Sequence, residues 1–322
     1  MPRPLRIEFP NAWYHVMNRG RRGESIFLTK DDHERFIQLL LETKNLFDLR
    51  VSAYCLMPNH YHLLVQTPQA NLSRCMRHIN GVYTQRFNRH HGCDSQLFRG
   101  RYKAIVIEED AYLLEVLRYI HRNPTEAQLE KSLGDYPWTS HQGYLTRSKK
   151  WDWLNKDFLL NFFASASSSQ KILYQSFVSK QEPEEISKLY LSKKWPPVLG
   201  SGPFIQEIRE EYLNEYSPHT FPEVKALAPP MDEIIAEICQ EYHLEPRNVL
   251  KAKRGKQNEA RDVAIYLIRH IRIEPYGNIA GQFEVNSASS IASTIARVKR
   301  RLSDDSKFQD KVEKLFNRLK SK

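Results

Sequence analysis

The sequence predicts an α+β architecture, a β-α-β-β-α-β-α domain followed by an all-α domain that contains a helix-turn-helix. Three observations carry this expectation. Short runs of strand character take turns with longer runs of helical spacing through the N-terminal part of the chain. Pro58-Asn59 sets a tight turn between two strand-like runs and so closes a hairpin. From Met231 the texture changes to helical spacing, and a short helix, a turn and a second helix tipped with small hydroxyl residues follow one another.

In chain order, Trp13 to Arg19 alternates weakly and reads as the first strand, with Gly20-Arg21-Arg22-Gly23 as a turn. Thr29 heads T-K-D-D, an N-cap with acidic side chains at the positive end of the helix dipole. Phe36, Leu39, Leu40, Thr43 and Phe47 then keep helical spacing. Leu49 to Leu56 reads as a strand, and His60 to Thr67 pairs back on it. Asn71-Leu72-Ser73 opens a second helix that runs to about His90, with Met76, Ile79, Tyr83 and Phe87 on one side and Arg74, Arg77, Arg86 and Arg89 on the other. His91-Gly92 ends it. Lys103 to Glu108 is the last strand, and Asp110 N-caps a third helix that Pro124 closes.

Residues 150–225 hold short amphipathic segments broken by serine- and proline-rich stretches, a helical extension ending in a linker near Ala226–Pro230. Beyond it, Ile234, Ile235, Ile238 and Tyr242 mark a helix, and Lys251 to Lys256 is a basic turn with Lys253, Arg254 and Lys256. Ala260 to Ile271 is another helix. Asn278 to Phe283 leads through a turn to Ser287–Ile295, with Ser289 and Ser290 at its tip. Arg297-Val298-Lys299-Arg300-Arg301 continues that helix as a phosphate-binding run. A plain helical bundle with a charged exit is the competing reading of this part. The expected domains are 1–150, 151–230 and 231–322.

The chain has 322 residues, 41% hydrophobic and 27% charged, and a net charge of +10. That composition fits a soluble globular protein, and the charge favours a polyanionic partner, most simply nucleic acid. Cys55, Cys75, Cys93 and Cys239 are scattered, with no C-x-x-C pair, so reduced thiols and a cytoplasmic protein are expected. The N-terminus has no apolar core of a signal peptide, and no apolar run approaches a membrane span.

The chemistry gathers at Met57-Pro58-Asn59-His60-Tyr61-His62. In a strand, residues two apart point the same way, so His60 and His62 project side by side and Tyr61 turns away. Two imidazoles on one face can hold one divalent metal, though two polar residues on a solvated face would look the same. Tyr119 and Asn123, four apart on the third helix, also share a face. A tyrosine hydroxyl can act as a covalent nucleophile, and an amide carbonyl is an ordinary ligand for Mg²⁺ or Mn²⁺. The competing readings are a core aromatic for Tyr119 and a helix terminator for Asn123. The arginine face of the second helix, read as lying beside this site, suits a phosphate backbone or merely faces solvent. Gln96 to Lys103, with Arg99, Arg101 and Lys103 around Phe98 and Tyr102, mixes cations and rings as single-stranded nucleic acid requires.

Taken together, H-Y-H, Y-I-H-R-N-P, F-N-R-H-H-G, L-F-R-G-R-Y-K and Y-P-W-T-S-H resemble the motifs of single-tyrosine HUH transposases, in particular the REP-associated tyrosine transposase branch. The resemblance covers residues 9 to 150, with echoes to 215. It implies a ferredoxin-like HUH domain and a metal, Mg²⁺ or Mn²⁺, held by His60, His62 and Asn123. It also implies attack of Tyr119 on a DNA phosphate, leaving a 5′-phosphotyrosine link and a free 3′-hydroxyl. Repetitive palindromic hairpins are the implied substrate. Tyr61 is a mild departure, since the family usually has another large apolar residue between the histidines. Tyr83, with Asn88 five residues on, is a rival nucleophile whose spacing shares a face less well. Residues 231–320 resemble the C-terminal duplex-binding domain of the initiator DnaA, which implies a duplex DNA partner. The D-H-T-T signature of its recognition helix is absent, and S-A-S-S stands near its place.

The expected function is therefore metal-dependent nicking and joining of single-stranded DNA, as a monomer or as a homodimer that exchanges nucleophile helices. A catalytically silent DNA-binding regulator is the alternative. An RNA-binding sheet is a weaker third, since no RNP-type aromatic strand stands out.

Overall fold

A sheet buried on both faces organises the N-terminal half. The computed structural model describes residues 6–109, 111–164, 167–192, 195–215, 228–251, 258–272, 274–285 and 287–320. The chain divides into two units, Glu8–Gly200, and Ser201–Lys322 together with Met1–Ile7. In the first, β1 (Ala12–Arg19), β2 (Arg50–Met57), β3 (His60–Thr67), β4 (Lys103–Ile107) and β5 (Val198–Leu199) form one sheet in the order β2-β3-β1-β4-β5. The first four are antiparallel neighbours in ferredoxin-like order, and β5 adds a parallel edge, Val106 opposite Val198. The hairpin pairs Met57 with His60, as the Pro58-Asn59 turn requires.

Helices α1 (Lys30–Phe47) and α2 (Leu72–His91) cover one face. The Thr29 cap is reciprocal: its hydroxyl accepts from Asp32 N, and Asp32 Oδ2 accepts from Thr29 N at 2.9 Å. Gly92, at φ 64°, ends α2 in the left-handed conformation that glycine adopts without strain. Tyr61 stands on this face, its ring 4.9 Å from Phe36 and its hydroxyl donating to Asn80 at 2.7 Å.

Helix α3 (Ala111–Glu126) covers the other face. Its Leu113, Val116, Leu117 and Ile120 pack on Trp13, Cys55, Met57, Leu64, Ile105 and Ile107. The helix passes Pro124 and ends at Glu126, a correction to the expected stop. Proline removes one backbone donor, and near a helix end that loss is small. Ala127 N still reaches Asn123 O at 3.0 Å. The expected cap Asp110 lies outside the described residues.

The extension belongs to the same unit. Helices α4 (His141–Leu145), α5 (Asp157–Asn161), α6 (Ser167–Ser179) and α7 (Glu184–Leu191) lead into β5. Tyr144, Leu159, Tyr174, Val178 and Ile186 join the α3 core. A buried polar cluster pins α3 from behind: His121 Nε2 bonds Ser140 Oγ at 2.8 Å, and Tyr174 Oη bonds His121 Nδ1 at 2.9 Å and His141 Nδ1 at 2.5 Å. The segment expected at 151–230 is thus divided between the two units at Gly200.

The second unit is all-α among its described residues: α8 (Gly202–Glu215), α9 (Met231–Tyr242), α10 (Pro246–Leu250), α11 (Glu259–Arg272), α12 (Tyr276–Gln282), α13 (Ala288–Asp304) and α14 (Ser306–Lys320). Ile234, Ile238, Val263, Leu267, Phe283, Ile291, Ile295 and Leu315 make its core. Buried Arg261 donates to the carbonyls of Val249 at 3.3 Å and Phe283 at 2.8 Å, which ties α10 to the turn after α12. Ser287 caps α13 by accepting from Ser289 N. The basic turn with Lys253, Arg254 and Lys256 lies outside the described residues. No described helix is long and apolar enough to cross a membrane, and the four cysteines form no disulfide.

Tyr83 is buried, and its hydroxyl donates to Ile26 O at 2.6 Å. Tyr83→Phe strands that carbonyl, so urea unfolding should show a loss of about 1–3 kcal/mol. An unchanged unfolding midpoint would mean that the bond contributes nothing.

Candidate active site

Strand alternation and helix periodicity bring the four central residues to one place. His60 and His62 leave β3 toward α3, with ring centroids 5.0 Å apart. Tyr119 and Asn123 meet them from α3: the Tyr119 ring lies 5.5 Å from His62, edge to face, and Asn123 lies near enough to His60 and Tyr119 to influence the protonation of both.

Four further residues complete the surroundings, and sequence reasoning missed their roles. Asn59 was read only as a turn residue. Its Nδ2 donates to Gly23 O at 3.2 Å, which turns Oδ1 toward His60 Nδ1 at 2.6 Å. His60 therefore carries its hydrogen on Nδ1 and keeps a lone pair on Nε2. His15 of β1 sits diagonally across from His62, whose direct partner is Met17, and its Nε2 is 2.9 Å from His62 Nδ1. Its Nδ1 is 2.9 Å from the Tyr190 hydroxyl of α7. The Tyr190 ring lies flat on Tyr119, centroids 3.7 Å apart and planes 14° apart. Trp195 stacks on His15 at 5.3 Å. The one sequence signal for His15 was a polar residue on the apolar side of β1.

Burial sets the charge states. It lowers His15 to about 3, and it lowers His60 to about 4 with help from Arg19 and against the nearby Asn123 amide. His62 is held well below its ordinary value by burial and by its two histidine neighbours. Burial raises the Tyr119 hydroxyl, and the nearby Asn123 amide opposes that rise. All three imidazoles are thus neutral at pH 7, as metal ligation requires.

Cations rim the site. Exposed Lys103 is lowered by partial burial and by Arg19 and Arg99, so these three charges lie close together. Lys103 also rests over the Trp195 ring at 5.0 Å. Arg99, Arg101 and Lys103 are exposed. Arg74, Arg77, Arg86 and Arg89 are a correction: α2 packs on the Tyr61 face, so its arginines are not beside the histidines. One of them is engaged in the fold, since Arg86 binds both carboxylate oxygens of Glu42 at 3.1 and 2.8 Å. Arg74 lies over the Phe47 ring. Asp32, His90 and His91 also bring ligand atoms within 4.8 Å of one another. Asp32 there is already committed to the α1 cap and to His91 at 2.9 Å. In the second unit Ser289, Ser290, Lys299 and Arg300 are exposed on α13.

Residues 8–123 match the family described as Transposase IS200 like. A solved structure described as a REP-associated tyrosine transposase bound to a REP hairpin aligns with 46% of this chain and 87% of its own, at 18% identity and a TM-score of 0.39. The chromosomal replication initiator protein DnaA of Nautilia profundicola is 31% identical over 93 residues, which are 29% of this chain and 21% of that protein. The chain therefore spans about a fifth of that curated relative, in keeping with a partial resemblance in the C-terminal part.

The buried histidines make stability pH-dependent. Their folded values are depressed below the ordinary 6.5, so the stabilisation is present above that value and is lost as pH falls toward about 4 for His60 and about 3 for His15. In metal-free protein, urea unfolding between pH 6.5 and 4 should lose about 1.4 kcal/mol per pH unit for each such histidine. A flat profile over that range would contradict the burial described.

Proposed function

Starting from an IS200-like transposase domain at residues 8–123, we propose that this protein nicks and rejoins single-stranded DNA through Tyr119, with a divalent metal held by His60, His62 and Asn123. The observation that carries the reading is the convergence of Tyr119 and Asn123 from α3 on His60 and His62 from β3. The donor set fits a cation. His60 keeps its Nε2 lone pair because Asn59 takes the Nδ1 hydrogen, both imidazoles are neutral, and Asn123 offers a carbonyl oxygen. A bound Mg²⁺ or Mn²⁺ would draw charge from the phosphate oxygens and favour displacement.

The protein's own groups supply the rest. Tyr119 Oη forms a bond to phosphorus while the bond to O3′ breaks, and the phenolic proton ends on the departing 3′-hydroxyl. The 5′ end stays on Tyr119, so a second 3′-hydroxyl can attack and restore the tyrosine without an outside energy source. Arg19, Arg99 and Lys103, whose charges influence one another, would hold the strand's phosphates. Palindromic hairpins are the proposed substrate, from the REP-like motifs. The second unit is proposed to hold duplex DNA, with Ser289 and Ser290 at base edges and Lys299 and Arg300 on phosphates.

One observation favours the regulator reading: the Tyr190 ring lies flat on Tyr119, and His62 is only 2% exposed.

A denaturing-gel assay with single-stranded hairpins and Mn²⁺ separates the two readings. The parent and Tyr83→Phe should form a covalent protein–DNA band, and Tyr119→Phe should lose it by at least about a thousand-fold. Hairpin binding without any band in the parent favours the regulator. For the second unit, Lys299→Glu with Arg300→Glu should weaken duplex binding evenly across sequences and lower the salt slope by about 2. An unchanged slope would place the duplex elsewhere.

A further inference from the structure

We propose that His15 is a positioning residue of this site: it takes the Nδ1 hydrogen of His62 into a hydrogen bond and so holds the tautomer whose Nε2 lone pair can bind metal. The proposal rests on the reading of His60, His62 and Asn123 as ligands.

Neither ring reaches solvent, at 0% exposure for His15 and 2% for His62. A neutral imidazole has one N–H and one lone pair. The chain His62–His15–Tyr190, with both links at 2.9 Å, therefore has two arrangements. In the first, His62 Nδ1–H donates to His15 Nε2, and His15 Nδ1–H donates to the Tyr190 oxygen. In the second, the Tyr190 hydroxyl donates to His15 Nδ1, His15 Nε2–H donates to His62 Nδ1, and His62 carries its hydrogen on Nε2. Only the first leaves His62 a lone pair for a cation, and a cation at Nε2 excludes the second.

His15 is built to keep that role. Its ring is bonded at both nitrogens and stacked on one side by Trp195, planes 27° apart. Tyr190 and Trp195 both follow the stretch that matches the transposase family, which ends at residue 123. The extension therefore reaches into the site and fixes a ligand that it does not itself provide. Partners of this kind commonly account for about 10- to 100-fold in metal affinity.

The test measures Mn²⁺ binding to the full-length, DNA-free protein by the EPR signal of unbound Mn²⁺. His15→Phe keeps ring bulk and removes the acceptor, so affinity should fall about 10- to 100-fold. His15→Gln can offer an amide oxygen near the lost Nε2 and should stay within a few-fold of the parent. His62→Ala should abolish the site. Parent-like binding by His15→Phe alongside loss in His62→Ala overturns the proposal and leaves the ligand reading standing. If His62→Ala binds as the parent does, both fall. A second readout needs no variant: in ¹⁵N-histidine NMR of the metal-free parent, a hydrogen on His62 Nδ1 supports the proposal, and one on Nε2 overturns it.

Discussion

The constraint on which the site depends is the burial of β3 on both faces while it carries two histidines. An imidazole in such a place must be neutral, and each nitrogen away from the ligand position needs a partner. Asn59 meets that need for His60 and His15 meets it for His62. His15 in turn needs Tyr190, and Tyr190 comes from the extension. A requirement that begins with two residues of one strand thus recruits a neighbouring strand, a turn and a helix well over a hundred residues away. It also ties α7 to the site, since without Tyr190 this hydrogen-bond chain would lose its last member.

The same burial explains what could be read in the sequence. Local periodicity sufficed wherever the informative contact was local. The Thr29 cap, the hairpin of Pro58-Asn59, the alternation of His60, Tyr61 and His62, and the four-residue step from Tyr119 to Asn123 all lie within one turn or one strand pair. Where the contact is set by register or by the return of the chain, the sequence carries no mark. His15 meets His62 because β1 lies between β3 and β4, and nothing near Trp13 to Arg19 announces that order. The extension was legible as helical segments, yet no pattern in it singles out Tyr190 or Trp195. The arginines of α2 illustrate the converse error. Their periodicity was read correctly, but the face of the sheet on which α2 packs follows from the side chains opposite the histidines, among them Tyr61. Tyr83, on that same face, is packed between Phe27 and Phe36 and is thus remote from the chemistry.

Charge needs the same separation between total and place. The net +10 suggests a polyanion, but many cations are already spent within the fold. Arg86 holds Glu42, Arg122 is paired with Glu126 and Glu182, Arg297 binds Asp262, and Arg301 binds Glu259. The pairs between exposed groups, such as Arg86 with Glu42, contribute little to stability, and all of these pairs leave little field for a distant ligand. Lys299 and Arg300 differ from their neighbours on α13: both are exposed, and neither has an ion pair among the described residues.

Arg19, Arg99 and Lys103 pose the sharper case. Like charges held close repel, and the lowered Lys103 registers that repulsion beside its partial burial. Packing does not demand the arrangement, because all three side chains are exposed and could diverge into water. On the proposed reading, such a cluster would be relieved by phosphates entering between the charges, with release of their counterions. The rim also borders the Trp195 ring, which Lys103 overlies, so cation and aromatic surface meet at the mouth of the histidine site. That pairing is the chemistry by which a single strand is held without regard to sequence, its phosphates on cations and its bases on rings. Recognition of any particular hairpin would then have to come from other groups, and the rim's part would be to bring a phosphate to Tyr119.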